Sequence, residues 1–161
     1  MIRKATEQDI PAALALFIAA KSIMRSDGNP TQWADNYPNE EIVRSDISKE
    51  GGYIVEREDV AEGYFAMLPS PEPTYSSIDG KWLDDTAPYL VIHRVASTAG
   101  SHGVFREIIE YALSASANIR IDTHRDNRIM RHVIEKAGFS YCGIILLADG
   151  SERLAYQIVG K

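Results

Sequence analysis

The sequence predicts an α/β fold of the α+β type, in which a mixed, partly parallel sheet is flanked by helices. Hydrophobic periodicity gives the element order β, α, α, β, β, β, α, β, α, β, β along the chain. In the second half, two strands are each followed by a helix and a further strand, and such crossovers connect parallel strands. With 161 residues, of which 45% are hydrophobic, the chain is predicted to form a single domain over 1–161.

The N-terminal strand MIRKA is followed by a predicted helix. Thr6 and Asp9 have the spacing of a capping box, with aspartate in the final position, at the start of this helix. The stretch SDGNP ends the helix, because Gly and Pro both disfavour helical structure. One helical face carries the apolar residues Ile10, Leu14, Phe17 and Ile18.

A second helix, a hairpin and an irregular segment follow. The stretch NEEIVRSDISKE is predicted to be helical, with Asn39 as its N-cap. The stretches GGYIVERED and VAEGYFAML form a β-hairpin with Glu58 and Asp59 at the turn. Residues 69–88, PSPEPTYSSIDGKWLDDTAP, are rich in Pro, Ser, Asp and Gly, and we expect them to form an irregular excursion over the surface.

The remaining elements alternate between strand and helix before a final hairpin. YLVIHRVA is a strand that is apolar on both faces apart from His93 and Arg94, and a helix extends from about Gly103 to Ser116. NIRIDTH is the next strand, and DNRIMRHVIEKAGF is a helix that ends at Gly138, a residue suited to a left-handed C-cap. SYCGIILLA and ERLAYQIV close the chain as a hairpin around the turn DGS.

The loop between the YLVIHRVA strand and its helix, STAGSHG, consists mostly of small residues. Such a loop leaves the backbone N–H groups of the helix N-terminus unpaired and lets an anion approach them closely. The sequence therefore predicts a phosphate-binding site at Ser101 to Gly103. It is not the phosphate loop of a nucleotide hydrolase, because GSHGVF lacks the Gly-Lys-Ser/Thr ending that supplies the lysine and the metal ligand.

Composition disfavours several other function classes. The formal net charge of −6 argues against a general nucleic-acid or anionic-membrane surface, and no long apolar run predicts a membrane span. A single cysteine, Cys142, permits no internal disulfide and fits the cytoplasm. The 4 histidines lack a recognised zinc-ligand spacing, so we expect no metal site. Arg125, Arg128 and Arg131 form a local basic cluster that is either a solvated helix face or a binding patch.

The segment RIDTHRDNRIMRHVIEKAGFSYCGI, Arg120 to Ile144, resembles the strand, helix and EK-x-GF segment of the GNAT superfamily of N-acetyltransferases. The element order of the whole chain is also similar to that of this family. The resemblance implies a V-shaped cleft between two splayed parallel strands, here Tyr89 to Ser97 and Ile119 to His124. Acetyl-CoA is the expected cosubstrate in this cleft, with its pyrophosphate on the loop and helix N-terminus that follow the first strand.

The resemblance also implies the contacts that the cosubstrate makes. Backbone N–H groups of Val95, Ala96 and Ser97 are expected to contact the thioester carbonyl. Asn127 matches a family position that often contacts the cofactor, and it is equally suited to cap the helix that follows. The diphosphate contacts are expected from Ser101, His102, Gly103, Val104, Phe105 and Arg106.

The sequence departs from the family pattern at two points. In the phosphate loop only Gly103 matches, Phe105 stands at a position that is usually small, and His102 and Arg106 are the candidates for a positive charge there. Many members carry a tyrosine that protonates the leaving thiolate, and Ile134 occupies that position here. We therefore expect no tyrosine acid, and water to protonate the thiolate.

His93 is the predicted catalytic base, because an imidazole with an ordinary pKa of about 6.5 suits proton transfer near neutrality. Strand alternation predicts that it shares a face with Tyr89, Val91 and Val95. The alternative is a core histidine that is satisfied by a hydrogen bond. His124, at the end of the second strand of the cleft, is a competing base.

The acceptor site is predicted from aromatic residues. Trp33 and Tyr37 lie in the region that walls the acceptor pocket in the family, and Tyr64 is expected to face them, although simple packing under the loop is the alternative. The predicted function is N-acetylation of a primary amine, on a small-molecule or peptide acceptor, by direct attack on the thioester. A noncatalytic acyl-CoA-binding or regulatory protein of the same fold is the alternative. The sequence leaves open whether the chain is a monomer or a homodimer.

Overall fold

Eight strands form one mixed sheet in the computed structural model, which describes residues 1–34 and 36–160. The strands are β1 (Ile2–Lys4), β2 (Gly52–Arg57), β3 (Val60–Pro69), β4 (Asp79–Gly80), β5 (Leu90–Ser97), β6 (Asn118–Thr123), β7 (Ser140–Leu146) and β8 (Glu152–Val159). Their order in the sheet is β1-β2-β3-β5-β6-β8-β7-β4, and among these neighbours only β5 and β6 pair in parallel. The predicted mixed, partly parallel sheet is confirmed.

Local signals begin and end the helices as the sequence predicts. The helices are α1 (Ile10–Ser26), α2 (Glu40–Ser48), α3 (Val104–Ala115) and α4 (Arg128–Lys136). The Asp9 carboxylate accepts a hydrogen bond from the Thr6 backbone N–H at 2.7 Å, on a 3-10 turn that leads into α1. The Asn39 side chain caps α2 by accepting from the Ile42 N–H, and Gly138 follows α4 with a φ of +101°. No helix within the described residues is long and apolar enough to cross a membrane.

The sheet carries apolar cores on both faces. One core lies under α3 and α4, and a second lies under α1 and α2. The prediction that Ile18 belongs to the buried face of α1 is wrong, because this side chain is 72% exposed. The buried face is instead centred on positions at helical spacing around Phe17, which leaves the next residue pointing outward. Its buried members are Ile10, Ala13, Leu16, Phe17 and Ala20.

The segment 70–88, which we call the strap, is more than a surface excursion. Tyr75 and Trp82 are buried and build a third core cluster against β5, β7 and β8. The Arg120 guanidinium lies between the rings of Trp82 and Tyr89, 3.9 Å from the centroid of each. Two large aromatic side chains therefore hold an otherwise polar segment on the sheet, and β4 adds a short strand at its edge.

The parallel strands β5 and β6 separate halfway along their length. Their pairing runs only from Leu90 opposite Ile119 to Ile92 opposite Ile121, although both strands continue beyond these residues. The backbone of β5 after Ile92 therefore has no partner strand on the β6 side. This splay opens the sheet, and the predicted V-shaped cleft is present between the two strands.

Candidate active site

A β-bulge at Arg94 shapes the centre of the site. Arg94 has a φ of +55°, and the pairing with β3 shifts so that two residues of β5 face Phe65 alone. The bulge interrupts strand alternation: His93 faces the strap, whereas Val95 packs against the core under α3 and α4. The prediction that His93 and Val95 share a face is therefore wrong, because a left-handed residue between them resets the period of two.

The bulge is anchored by a buried network. The Arg94 guanidinium donates to the Asp46 carboxylate, with 3.0 Å between Nε and Oδ2, and to the Tyr37 hydroxyl at 3.0 Å. The Tyr64 hydroxyl donates to the same carboxylate at 2.7 Å, and burial raises the pKa of Tyr64. Tyr64 is completely buried beneath this network and does not reach the wall of the predicted acceptor pocket. It supports the bulge from below instead.

A cleft of about 840 Å³ lies where β5 and β6 separate. Apart from His102, every predicted cofactor residue lines it. His102 is exposed, and its carbonyl accepts a hydrogen bond from Arg57 at 2.8 Å. The predicted residues that line the cleft are Val95, Ala96, Ser97, Ser101, Gly103, Val104, Phe105, Arg106 and Asn127.

One part of the cleft wall is the N-terminus of α3. Gly103 is the N-cap, with a φ of +74°, and no side chain caps the helix there. The N–H groups of the first turn have no intrahelical acceptor and remain available to an anion. Phe105 packs partly against the core while it also lines the cleft, so its ring is not simply directed into the space above the loop.

Most of the rest of the cleft wall is apolar and comes from helices that the sequence did not connect with it. The apolar side chains from α1, α3, α4 and the residue that follows α4 are Ala20, Ile23, Met24, Ile109, Leu113, Ile129, Met130, Val133 and Ala137, and the remaining polar residues of the wall are Asp27, Asn29, Glu110 and Lys136. The contribution of α1 was missed because this helix lies far from β5 in sequence. An apolar slot that ends at an uncapped helix N-terminus suits an elongated ligand with an anionic end.

A second cavity, of about 520 Å³, lies on the other side of the bulge, and we call it the acceptor cavity. Trp33, Tyr37 and His93 line it, and the rings of Trp33 and Tyr37 make an edge-on contact with centroids 6.4 Å apart. Sequence reasoning missed most of its polar residues, because they come from four separate segments: the strap, β6, the turn between β7 and β8, and β8. These are Glu72, Thr74, Asp122, Thr123, Asp149, Ser151 and Arg153, and Thr31, Gln32, Arg94 and Asn127 complete the polar part of the wall.

His93 and Glu72 face each other in the acceptor cavity. The His93 Nε2 atom is 3.5 Å from Glu72 Oε1, which also accepts from the Thr74 hydroxyl at 3.1 Å. The hydrogen bond from His93 lowers the pKa of Glu72 despite its partial burial. The His93 side chain is 21% exposed, so it is not an enclosed core histidine.

The competing base His124 occupies a different environment. Its Nδ1 atom accepts a hydrogen bond from the Asp126 backbone N–H at 3.0 Å, and burial lowers the pKa of the imidazole. It is not among the residues that line the two cavities. Ile134, at the family's tyrosine position, is fully buried in the core under α3 and α4 and offers no acid to the site.

The two cavities meet beside the bulge. Met24, Val95, Asn127 and Met130 line both of them. Asn127 caps α4 through its Oδ1, which accepts from the Met130 N–H at 3.0 Å, while its Nδ2 donates to Gln32 Oε1 at 2.8 Å. Asn127 thus acts as a helix cap and also fixes the loop that carries Trp33 at the junction.

Comparison with solved structures identifies the family. The crystal structure of a GNAT-family acetyltransferase from Streptococcus agalactiae matches with 30% sequence identity and a TM-score of 0.91, covering 100% of this chain and 95% of that one. The chain belongs to the GNAT family of acetyltransferases. In this GNAT protein, the opening between β5 and β6 therefore corresponds to the splayed cleft that the sequence resemblance to the family implies.

More distant GNAT structures share the fold alone. An acetyltransferase of the family from Listeria monocytogenes is 18% identical, with a TM-score of 0.73 and coverage of 99% of this chain and 94% of that one. A ribosomal-protein-alanine N-acetyltransferase from Brucella melitensis is 20% identical, with a TM-score of 0.66 and coverage of 99% of both chains. No protein-family model and no curated protein matches the sequence.

Proposed function

We propose that this protein transfers an acetyl group from acetyl-CoA to a primary amine of a small-molecule or peptide acceptor. The observation that carries the proposal is the meeting of two cavities at Val95. One is an apolar slot that ends at an uncapped helix N-terminus, and the other holds the facing pair His93 and Glu72. Membership of the GNAT family supports acetyl transfer as the reaction class.

The residues present fit acetyl-CoA. The backbone of β5 beyond Ile92 lacks a strand partner on the β6 side, so an extended pantetheine chain can hydrogen-bond there as an added strand. The first turn of α3, from Val104 to Arg106, offers backbone N–H groups to the diphosphate. Ser101 lies on the approach to this turn, and Arg106, exposed at the rim, adds positive charge although it pairs with Glu110.

Acetyl-CoA supplies an activated acetyl group. The neutral amine nitrogen of the acceptor forms a bond to the carbonyl carbon, the carbon–sulfur bond breaks, and the thiolate leaves. Backbone N–H groups near Val95, Ala96 and Ser97 stabilise the negative charge that develops on the carbonyl oxygen. Ile134 cannot donate a proton, so water protonates the thiolate, which is a good leaving group without an acid.

His93 accepts the proton that the amine loses. Its Nε2 atom faces Glu72, an arrangement that leaves Nδ1 as the unprotonated nitrogen and the acceptor of the proton. Glu72 orients the ring and stabilises the imidazolium that forms. Trp33 and Tyr37 form the aromatic wall beside which the acceptor binds.

The proposal is tested by measuring CoA release from acetyl-CoA with a thiol reagent, in the presence of a panel of primary amines. Mass spectrometry of the reaction must show an acceptor whose mass has increased by one acetyl group. The rate is expected to rise with pH, because only the neutral amine attacks. Tight acetyl-CoA binding without turnover of any amine would instead assign the noncatalytic alternative. We propose the cytoplasm as the compartment of the reaction, because the substrate acetyl-CoA is expected there.

A further inference from the structure

Arg153 is a buried cation on the wall of the acceptor cavity. It lies on β8, is 6% exposed, and donates to the backbone carbonyls of Glu152 at 2.8 Å and Gln32 at 2.6 Å. In the chain from 1–34 and 36–160, no carboxylate forms an ion pair with its guanidinium. Burial lowers the pKa of Arg153, and the carboxylates of Asp122 and Asp149 nearby offset only part of that effect. Removing a guanidinium from water without a carboxylate partner is costly, which points to a partner that arrives with a ligand.

A second polar group in the same cavity also lacks a partner. The Thr123 hydroxyl is completely buried, lines the cavity and makes no hydrogen bond. Thr123 pairs with Leu154, the residue next to Arg153 along β8, so the Thr123 hydroxyl and the Arg153 guanidinium belong to adjacent strands. Buried polar groups are nearly always satisfied, so an unpartnered hydroxyl is a second unusual feature of this wall, although its complete burial means that a ligand reaches it only after a local shift.

The opposite side of the cavity is suited to an amine. His93 and Glu72 lie there, on β5 and the strap, whereas Arg153 lies on β8, on the far side of β6 in the sheet order β5-β6-β8. Asp122 lies between them on β6 and accepts a hydrogen bond from the Tyr75 hydroxyl at 2.6 Å. The cavity therefore has an acidic side, with Glu72 and Asp122, that attracts an ammonium group, and it has Arg153 on the far side, where Asp149 also lines the wall.

We infer that the acceptor is a primary amine that also carries a carboxylate, which Arg153 binds while the amino group lies at His93. Amino acids and short peptides with a free C-terminus belong to this class. A singly charged carboxylate fits one guanidinium, whereas Asp122 and Asp149 would repel a more highly charged anion such as a phosphate ester. This inference rests on the proposed acetyl transfer and names its acceptor class.

The test measures CoA release with three series of amines at a constant concentration of acetyl-CoA. The first contains α-amino acids, ω-amino acids and dipeptides, the second contains their C-terminal amides, and the third contains alkylamines and polyamines without a carboxylate. At least one compound of the first series is expected to exceed its own amide in kcat/KM by roughly thirtyfold, as a charge-assisted contact implies. In Arg153→Gln this ratio is expected to fall to about one.

Two further measurements distinguish a loss of carboxylate recognition from a loss of folded protein. The ratio of acid to amide does not depend on how much of a variant is folded, and acetyl-CoA affinity reports the integrity of the cleft. Arg125→Gln is the matched control, because Arg125 is exposed, pairs with Glu152 and lies outside both cavities, so its ratio must stay at the wild-type value. If Arg153→Gln does not bind acetyl-CoA, Arg153→Lys is measured instead, and its ratio must fall at least about threefold because lysine lacks the planar fork.

The outcomes separate this inference from the proposed function. Equal or faster reaction of the amides, or reaction of carboxylate-free amines alone, overturns the inference and leaves acetyl transfer in place. A ratio that stays high in Arg153→Gln also overturns it, because the carboxylate is then bound elsewhere. Absence of CoA release from all three series by a protein that binds acetyl-CoA overturns both.

Discussion

Arg94, the bulged residue of β5, forms a buried ion pair with Asp46 on α2. Their side chains are only 8% and 2% exposed, and Arg94 Nε is 3.0 Å from Asp46 Oδ2. The pair lies beneath the point at which the two cavities meet. A left-handed conformation is unfavourable for an arginine, and this ion pair is the contact that holds the residue in it.

Removing the carboxylate leaves a buried guanidinium whose one remaining side-chain partner, among the residues that the structure describes, is the Tyr37 hydroxyl. We therefore expect Asp46→Ala to lower the free energy of unfolding by about 3–5 kcal/mol, as loss of one partner of a buried pair does. Urea denaturation monitored by fluorescence measures this change. Arg44→Gln, on the same helix, is the control: Arg44 pairs with Glu40 at the surface, and its loss is expected to cost under about 1 kcal/mol. Equal effects of the two variants would contradict the role of the buried pair.

Gly63 on β3 seats the start of α3. A Cβ atom at this position would lie 2.9 Å from Val104 Cγ1 and 3.3 Å from Val55, so the first residue of α3 must adjust its side chain or its position. We expect Gly63→Ala to destabilise the fold by about 1–3 kcal/mol and to weaken acetyl-CoA binding, because the displaced N–H groups no longer match the diphosphate. Gly160→Ala is the control, since its added Cβ would meet only ordinary contacts at 3.4 Å or more. An unchanged acetyl-CoA affinity in a Gly63→Ala protein that remains folded would mean that the N-terminus of α3 does not bind the diphosphate.

Replacing His93 tests the proton acceptor. His93→Ala is expected to lower kcat by roughly a hundredfold or more while acetyl-CoA affinity stays near the wild-type value, because the ring lines the acceptor cavity. His132→Ala, an exposed histidine on α4, is the control and is expected to be fully active. Steady-state kinetics measure kcat, and calorimetry measures the affinity for acetyl-CoA. Wild-type turnover in His93→Ala would mean that bulk water, and not His93, accepts the proton. A variant that does not fold would mean that His93 has a structural role.

Glu72→Gln tests how the carboxylate assists His93. The carboxylate faces His93 Nε2 and orients the ring, so its removal is expected to lower kcat while acetyl-CoA affinity stays near the wild-type value, which steady-state kinetics and calorimetry measure. Thr74→Val is the matched control, because it removes the hydroxyl that donates to Glu72 without removing charge. A wild-type kcat in Glu72→Gln would mean that the carboxylate does not assist proton transfer.

The same carboxylate makes a pH-dependent contribution to stability. The pKa of Glu72 is lowered in the folded protein from an ordinary value of 4.5, so its stabilising effect is present above that value and is lost as the pH falls through the lower, folded pKa. The stability difference between the wild type and Glu72→Gln is therefore expected to shrink as the solution is acidified below pH 4.5, which pH-dependent urea denaturation measures.

Local signals explain why much of the fold could be predicted from the sequence. Asn39 and Asn127 cap helices, and Gly138 ends one, because each of these residue types satisfies a helix terminus by itself. The cofactor cleft follows the same logic, since the strand, small-residue loop and helix are contiguous and Gly103 stands at their junction. These features need no knowledge of distant parts of the chain.

The features that were missed all depend on long-range contacts. The bulge at Arg94 requires Asp46 from α2, and the sequence around β5 contains no signal that predicts the bulge. The strap is held by contact between Trp82 and Arg120, a residue of β6. The polar composition of residues 70–88 gives no sign of this contact. The polar wall of the acceptor cavity joins Glu72 to Arg153, residues from separate segments that only the sheet order brings together.

Calorimetric titration of the purified protein with acetyl-CoA tests the central claim most directly. We expect saturable binding with one acetyl-CoA per chain, and a negative heat-capacity change because the slot between α1, α3 and α4 buries apolar surface. Affinity is expected to decrease with rising salt, as contact between the α3 N-terminus and a diphosphate requires. Absence of binding at millimolar acetyl-CoA would contradict the assignment of the cleft and with it the proposed acetyl transfer.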